Sequence, residues 1–240
     1  MMTNNFKFLN KTIKLELNQK VFTPNLTTQE LIKAACGVIE KRRRRKKKLN
    51  ILDLGCGSGV IGIFLKKKYP SKVNVFLSDH SEFAVELAKR NSELNNTKLQ
   101  IVKSDLFKMW KKYKFDLIID DISAISSYIA KKSVWYNKFI PCKSGASGLS
   151  LTKKIIDNCD KFLNKNSIIL IPSISISDHK KNISIMKRKF KKVKLLSTRE
   201  WPAPLFLLKK NLKKKSLQKG YIYEKFNMLL CFTKIYSCIK

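Results

Sequence analysis

Between residues 50 and 62 the chain passes from a short apolar strand pattern to a helical one across Leu52-Asp53-Leu54-Gly55-Cys56-Gly57-Ser58-Gly59, a turn with glycine at three alternate positions. A glycine turn between a strand and a helix lets the backbone approach a ligand closely, because a side chain at those positions would collide with it. It also constrains the fold, since strands that alternate with helices build a parallel sheet covered on both faces.

The flanking sequence continues that alternation. Residues 50–54 read as a strand, 60–69 as a helix stopped by Pro70, and 72–78 as the next strand. The helix at 81–94 carries Phe83, Ala84, Leu87 and Ala88 on one face, and 99–102 and 115–119 give a third and a fourth strand. An irregular stretch then runs to Ala146, longer than an ordinary connection and so of the kind that carries function. A helix at 150–163, a strand at 167–171, a helix at 178–190 and a strand at 193–196 follow. The β-prone run 225–239 predicts closure by an antiparallel pair at the sheet edge. The expected class is α/β: a doubly wound, Rossmann-like, mostly parallel sheet with an antiparallel C-terminal edge. Ahead of it, 11–22 alternates weakly and predicts a hairpin turning near Asn18-Gln19, and 27–39 places Leu31, Ile32, Ala35 and Val38 at helical spacing. Residues 1–48 form an N-terminal hairpin, helix and basic linker on this reading, and 49–240 one α/β domain.

At 240 residues and 44% hydrophobic content the chain can bury one sizeable core. No apolar run reaches the roughly 18 residues of a membrane span, and the start lacks a signal-peptide core, so a cytoplasmic protein without a membrane partner is expected. Six scattered cysteines with no CxxC pair and only two histidines argue against a metal site and against a disulfide framework. Charge is the outlier: 51 Lys plus Arg against 17 Asp plus Glu give a formal +34. Such a surface draws in polyanions through counterion release, which favours an RNA or ribosomal partner. The competing explanation is A/T-rich codon usage, which also supplies Lys, Asn and Ile. The run Lys41–Lys48 falls where strands begin, opposite the ligand side of such sheets, and is auxiliary.

Acids mark the strand ends. Asp53 lies just before the glycine turn, Asp79 ends the second strand 20 residues after Gly59, and Asp105 follows the third in Lys103-Ser104-Asp105-Leu106-Phe107. In a doubly wound sheet these ends converge on one crevice, where an acid after the second strand can accept both hydroxyls of a ribose. Gly57 to Gly62 also matches GxGxxG literally, but Gly62 then falls inside the helix, which is the wrong frame for a dinucleotide site.

From about Thr23 onward, and most closely from Ile51 to Asp121, the chain resembles the class I S-adenosylmethionine methyltransferases. That resemblance implies S-adenosylmethionine as cofactor. It implies that Gly55, Cys56, Gly57 and Gly59 lie under its methionine part, Asp53 anchors its amino end, Asp79 binds its ribose, and Asp105 with Leu106 meets its adenine. His80 would either flank the ring or simply begin the helix. Within the superfamily the chain is similar to the small-domain group of release-factor glutamine and ribosomal-protein methyltransferases. The segment Val21-Phe22-Thr23-Pro24-Asn25-Leu26-Thr27-Thr28 would then bring Pro24 and Thr28 beside the cofactor.

One departure bears on the acceptor. Where the glutamine and adenine amino methyltransferases carry Asn-Pro-Pro-Tyr, this chain has Asp121-Ile122-Ser123-Ala124, so the clamp for a planar amino group is missing. Asp121 is the candidate for orienting or deprotonating an amine or hydroxyl, with a helix cap as its alternative role. Trp135, Tyr136 and Trp201 either wall a substrate pocket or cover the core edge, and the turn 141–148 either contacts substrate or launches the next helix. The expected function is methyl transfer to N or O of RNA or a ribosomal protein. The alternatives are a small-molecule methyltransferase and a non-catalytic nucleic-acid-binding protein on the same scaffold.

Overall fold

The computed structural model describes residues 3–42, 48–140 and 142–240. In chain order the elements are β1 (Thr3–Phe8), β2 (Lys11–Glu16), α1 (Leu26–Arg42), β3 (Leu49–Leu54), α2 (Val60–Lys68), β4 (Val73–Asp79), α3 (Glu82–Leu94), β5 (Gln100–Lys103) and β6 (Phe115–Asp120). Then follow α4 (Ser127–Ala130), α5 (Ser150–Asn158), β7 (Leu163–Ile174), α6 (His179–Lys189), β8 (Lys192–Pro202), α7 (Lys210–Gln218), β9 (Tyr223–Lys225) and β10 (Met228–Ile239).

The main sheet has the order β5-β4-β3-β6-β7-β10-β8, with β9 added on β10. β3 pairs in parallel with both β4 and β6, and the parallel set extends to β5 on one side and β7 on the other. β10 runs antiparallel to β7 and to β8. This is the expected α/β sheet with its antiparallel edge. From β3 the chain builds outward first through β4 and β5 and then back through β6 and β7. The strand order therefore reverses between β3 and β6, and their C-terminal ends open a crevice there.

Burial follows from this position. Every residue of β6 is buried, as expected of a strand covered on both faces. On one face Ile51, Ile61, Phe64 and Leu117 join Leu31 and Ile39 of α1 in one core; on the other Leu52, Ile118, Ile155 and Met186 form a second. A third cluster, including Ile125, Ile129, Ile176, Leu207 and Leu212, gathers beyond the C-terminal ends of the strands.

One expectation is corrected. The N-terminal hairpin spans 3–16 and turns at Leu9 (φ 41°) and Asn10 (φ 60°), not at Asn18-Gln19. A two-residue loop with both φ values positive matches strand twist, and Asn10 tolerates it. β2 is then held by α3: Asn95 Oδ1 accepts from Lys14 N at 3.0 Å and Asn91 Oδ1 from Glu16 N at 2.7 Å. At the other end, β10 begins only at Met228 and lies inside the sheet, with β8 as the edge. β8 itself extends to Pro202, with most of its side chains exposed, so it lacks the apolar run that marks a strand in sequence. Of the basic run, residues 43–47 lie outside the described residues, as does Pro141 of the 141–148 turn. Arg42 ends α1 and donates to the carbonyls of Asp116 (3.4 Å) and Asn166. Among the described residues no helix is long and apolar enough to cross a membrane, and no metal-holding group of His, Cys, Asp or Glu is present.

Candidate functional site

The turn after β3 is built for closeness. Gly55 and Cys56 donate to the carbonyl of Ser78 at 2.9 and 3.0 Å, which ties the turn to β4, and Gly59 N donates to Cys56 O at 2.8 Å. Gly55, Gly57 and Gly59 all have positive φ (79°, 52° and 79°), a region costly to residues with a Cβ. Their surroundings differ. A Cβ on Gly55 would lie 2.7 Å from Ile122 Cγ2, and one on Gly59 3.1 Å from Ala88 Cβ, so those two are demanded by packing inside the protein. A Cβ on Gly57 would meet nothing nearer than Phe22 O at 3.9 Å. Gly57 therefore opens onto free space bordered by the 21–22 segment.

Three carboxylates collect around this turn. Asp53 is fully buried; its Oδ2 accepts from Gly62 N at 3.1 Å, and its Oδ1 has no partner among the described residues. Asp79 accepts from Gly57 N at 3.0 Å and from Ser81 N at 2.9 Å, so it fixes both the glycine turn and the start of α3. Asp121 Oδ2 accepts from Thr28 Oγ1 at 2.9 Å, which joins the α1 N-terminus to the end of β6. Burial pushes the Asp53 carboxyl well above the usual carboxylate range, and the neighbouring charges of Asp121 and Asp79 add to the shift. Burial also raises Asp79. Asp121 is pushed up to about 7 by burial, with Asp120 and Asp79 adding to the rise and the Thr28 hydroxyl opposing it. The Cys56 thiol is buried and raised by that burial and by Asp79 and Asp53. A concentration of mutually repelling carboxylates in a chain of net charge +34 favours a cationic occupant.

The remaining candidates are more peripheral. His80 and Asp105 are exposed, Asp105 pairs with Lys108 at 2.7 Å, and that hydrogen bond holds its carboxyl below the usual range. Leu106, at φ 50°, follows it and is half-buried. Pro24 is half-buried ahead of α1, while Thr28 is buried.

Sequence reasoning missed two features. Asp120 is wholly buried, bonded among the described residues only through Oδ1 to Ile122 N at 3.3 Å, and raised to about 7 by burial. The Asp-Asp doublet at a strand end was its one visible sign. The second is a hydroxyl and thiol cluster: Ser123 Oγ lies 3.0 Å from Tyr136 Oη, 3.1 Å from Cys142 Sγ and 3.0 Å from Ser144 Oγ. The ring of Tyr136 packs against Phe22 at 5.4 Å, closing the connection after β6 over the 21–22 segment. Trp135 and Trp201 instead pack edge to face at 6.4 Å within the third cluster, at the core edge.

The family model for the methyltransferase small domain matches residues 28–121, from the α1 threonine to the aspartate that follows β6. That match takes in the strands and turns from α1 to the end of β6. Among curated relatives, the bifunctional methyltransferase of Rickettsia typhi is 30% identical over 175 residues, covering 65% of this chain and 34% of that protein. The release factor glutamine methyltransferase of Thermodesulfovibrio yellowstonii is 31% identical over 169 residues, covering 66% and 58%. The chain thus spans about a third and somewhat over half of these two relatives. Among solved structures, the T. thermophilus 16S rRNA N2 G1207 methyltransferase in complex with AdoMet and guanosine superposes with a TM-score of 0.61 over all of this chain and 50% of that one. At 13% identity, that likeness concerns the fold. The matched stretch contains the glycine turn, Asp53, Asp79, Asp105 and Asp121.

Proposed function

We propose that the chain is an S-adenosylmethionine-dependent methyltransferase that transfers a methyl group to nitrogen or oxygen of a macromolecular acceptor, RNA or ribosomal protein. The observation that carries it is the convergence of Asp53, Asp79 and Asp121 on the one glycine turn whose Gly57 faces open space. S-adenosylmethionine fits these residues. It brings a cationic sulfonium and an ammonium to a carboxylate cluster, and the unpartnered Asp53 Oδ1 is a buried acceptor still in need of a donor or a neighbouring positive charge. When bound, it supplies a methyl group already activated for transfer. On this reading Asp79 accepts the ribose hydroxyls, Asp53 and the Gly55-Cys56-Gly57-Gly59 backbone hold the methionine part, and Asp105, Leu106 and His80 border the adenine, with Pro24 alongside.

The protein's own chemical contribution is positioning and proton handling. Thr28 fixes the Asp121 carboxylate by the 2.9 Å bond. A carboxyl poised at about 7 is matched to taking a proton from an amine or hydroxyl near neutral pH. Without the Asn-Pro-Pro-Tyr clamp, the Ser123, Tyr136 and Cys142 cluster is the polar group nearest in sequence to Asp121 that can orient an acceptor.

Isothermal titration with S-adenosylmethionine tests the reading. Binding should be at least tenfold weaker in Asp79→Asn, a loss of about 1.4 kcal/mol or more, with thermal unfolding confirming that the variant is folded. Equal affinity in the two proteins would sink the proposed cofactor site. Transfer of labelled methyl to RNA or protein in fractions from cells lacking the gene identifies the acceptor.

A further inference from the structure

The third apolar cluster unites two segments far apart in sequence. The connection after β6, residues 122–148, and the stretch 203–222 that contains α7 pack together through Ile125, Ile129, Leu207 and Leu212. Trp135 meets Phe206 at 5.4 Å, and the Lys215 ammonium lies 4.4 Å above the Tyr128 ring. Both segments leave the sheet at the C-terminal ends of β6 and β8, strands that run in the same direction, so together they form a rim beside the crevice.

The charge of this rim is one-sided. Residues 122–148 contain four lysines and 203–222 contain six, and neither segment contains a single Asp or Glu; all 17 acids lie elsewhere in the chain. All ten lysines are exposed, and none forms an ion pair with the described residues. Elsewhere lysines do pair, as in Lys103 with Glu82 at 2.7 Å and Lys189 with Asp160 at 2.7 Å. Apolar side chains stand among the rim lysines, with Val134 89% and Leu205 84% exposed. The two segments together run to 47 residues without an acid, and they border a crevice whose own walls are acidic.

We propose that the lysine rim formed by 122–148 and 203–222 is the docking surface for an RNA acceptor, holding its phosphates while a nucleotide reaches Asp121. This rests on the methyl-transfer reading and narrows it from RNA or protein to RNA. A row of unpaired ammonium groups without any carboxylate matches a chain bearing one charge per nucleotide, and the interspersed apolar side chains offer contact to base faces.

The test uses the full chain and a fluorescein-labelled single-stranded RNA a few tens of nucleotides long, followed by fluorescence anisotropy across a salt series. In the rim variant Lys131, Lys210, Lys213 and Lys214 become Gln; in the control variant Lys187, Lys191, Lys192 and Lys194, all exposed at the opposite end of the sheet, become Gln. Each removes four charges. The rim variant should bind at least about tenfold more weakly, and its log K against log salt should flatten by about 0.7 for each phosphate that the protein no longer neutralises. The control should stay within about twofold of the parent. Equal weakening in both variants would reduce the effect to net charge and overturn the proposal. So would competition by polyglutamate as effective as by unlabelled RNA, which would point to an acidic protein instead. Anisotropy needs no cofactor, so calorimetric titration of the same proteins with S-adenosylmethionine judges the methyl-transfer reading separately.

Discussion

Replacing Thr28 by valine removes one hydroxyl at nearly constant volume and tests how the Asp121 carboxyl is tuned. Thr28 is buried and donates to Asp121 Oδ2 at 2.9 Å. Burial raises Asp121, this bond opposes the rise, Asp120 and Asp79 add to it, and the balance is about 7. A hydrogen bond to a charged acceptor contributes about 1.5–3 kcal/mol. At about 1.36 kcal/mol for each pKa unit, losing it raises Asp121 by roughly one to two units. At neutral pH the wild-type group is then about half ionised and the variant one-tenth ionised or less. If a cationic ligand binds against the ionised form, S-adenosylmethionine affinity at neutral pH falls about five- to fifty-fold. It recovers as the pH is raised by one to two units. Calorimetric titration over a pH series reads this directly. S-adenosylhomocysteine, which lacks the sulfonium charge, should respond far less, and Asp121→Asn should abolish the pH dependence. An unchanged midpoint in Thr28→Val, or a wild-type affinity that does not vary between about pH 6 and pH 8, would refute the coupling.

Three further outcomes are expected. Asp120 is raised from 3.8 to about 7, so its contribution to stability is fully present at acid pH and is lost as the pH rises through about 7. Asp120→Asn removes that dependence: between about pH 5 and pH 8 the wild type should lose about 3 kcal/mol more than the variant in urea unfolding, and parallel curves would disprove the buried charge. Gly57→Ala, at φ 52° but facing open space, should cost about 1 kcal/mol of stability and still lose cofactor binding, read by thermal unfolding and calorimetry. Gly59→Ala adds a Cβ 3.1 Å from Ala88 Cβ and 3.2 Å from Ile63 Cδ1, so it should cost about 2–4 kcal/mol, and a smaller loss than in Gly57→Ala would contradict the packing role.

The parts of the fold legible in the sequence are those where one physical demand acts alone. β3 and β6 are buried on nearly every residue and read as apolar runs, as does the alternately buried β4, and Gly55-Cys56-Gly57-Ser58-Gly59 announces a backbone that must bend. β8 could not be read to its end because a mostly exposed edge strand held by β10 needs backbone pairing more than apolar side chains. α7 was hidden for a related reason: its sequence KNLKKKSLQ buries little besides Leu212 and Ser216, and packing on the third cluster, not periodicity, holds it. The hairpin turn at Leu9-Asn10 was missed because the asparagines that secure β2 lie 75 and 81 residues away, on α3 and at its C-terminal cap. For the site, the acids at strand ends were visible individually. The Thr28 bond to Asp121 spans 93 residues, and the Ser123 hydrogen bond with Tyr136 depends on how the connection after β6 folds back.

The same separation bears on how the molecule would serve the two proposed ligands of opposite charge. Within the crevice, strand ends bring the acids close enough that Asp79 and Asp121 raise Asp53 and Asp79 raises Asp121, and burial multiplies the effect of each charge. On the rim, lysines sit in water, where each is weak alone and the sum acts over a Debye length of about 8 Å. Burial therefore selects a small cation with short-range stringency, while exposure collects a polyanion with long-range tolerance. Added salt should accordingly erode the rim interaction steeply and the crevice interaction little. On the proposed reading, a methyl donor and an RNA acceptor would be drawn to adjoining surfaces by forces that need not compete.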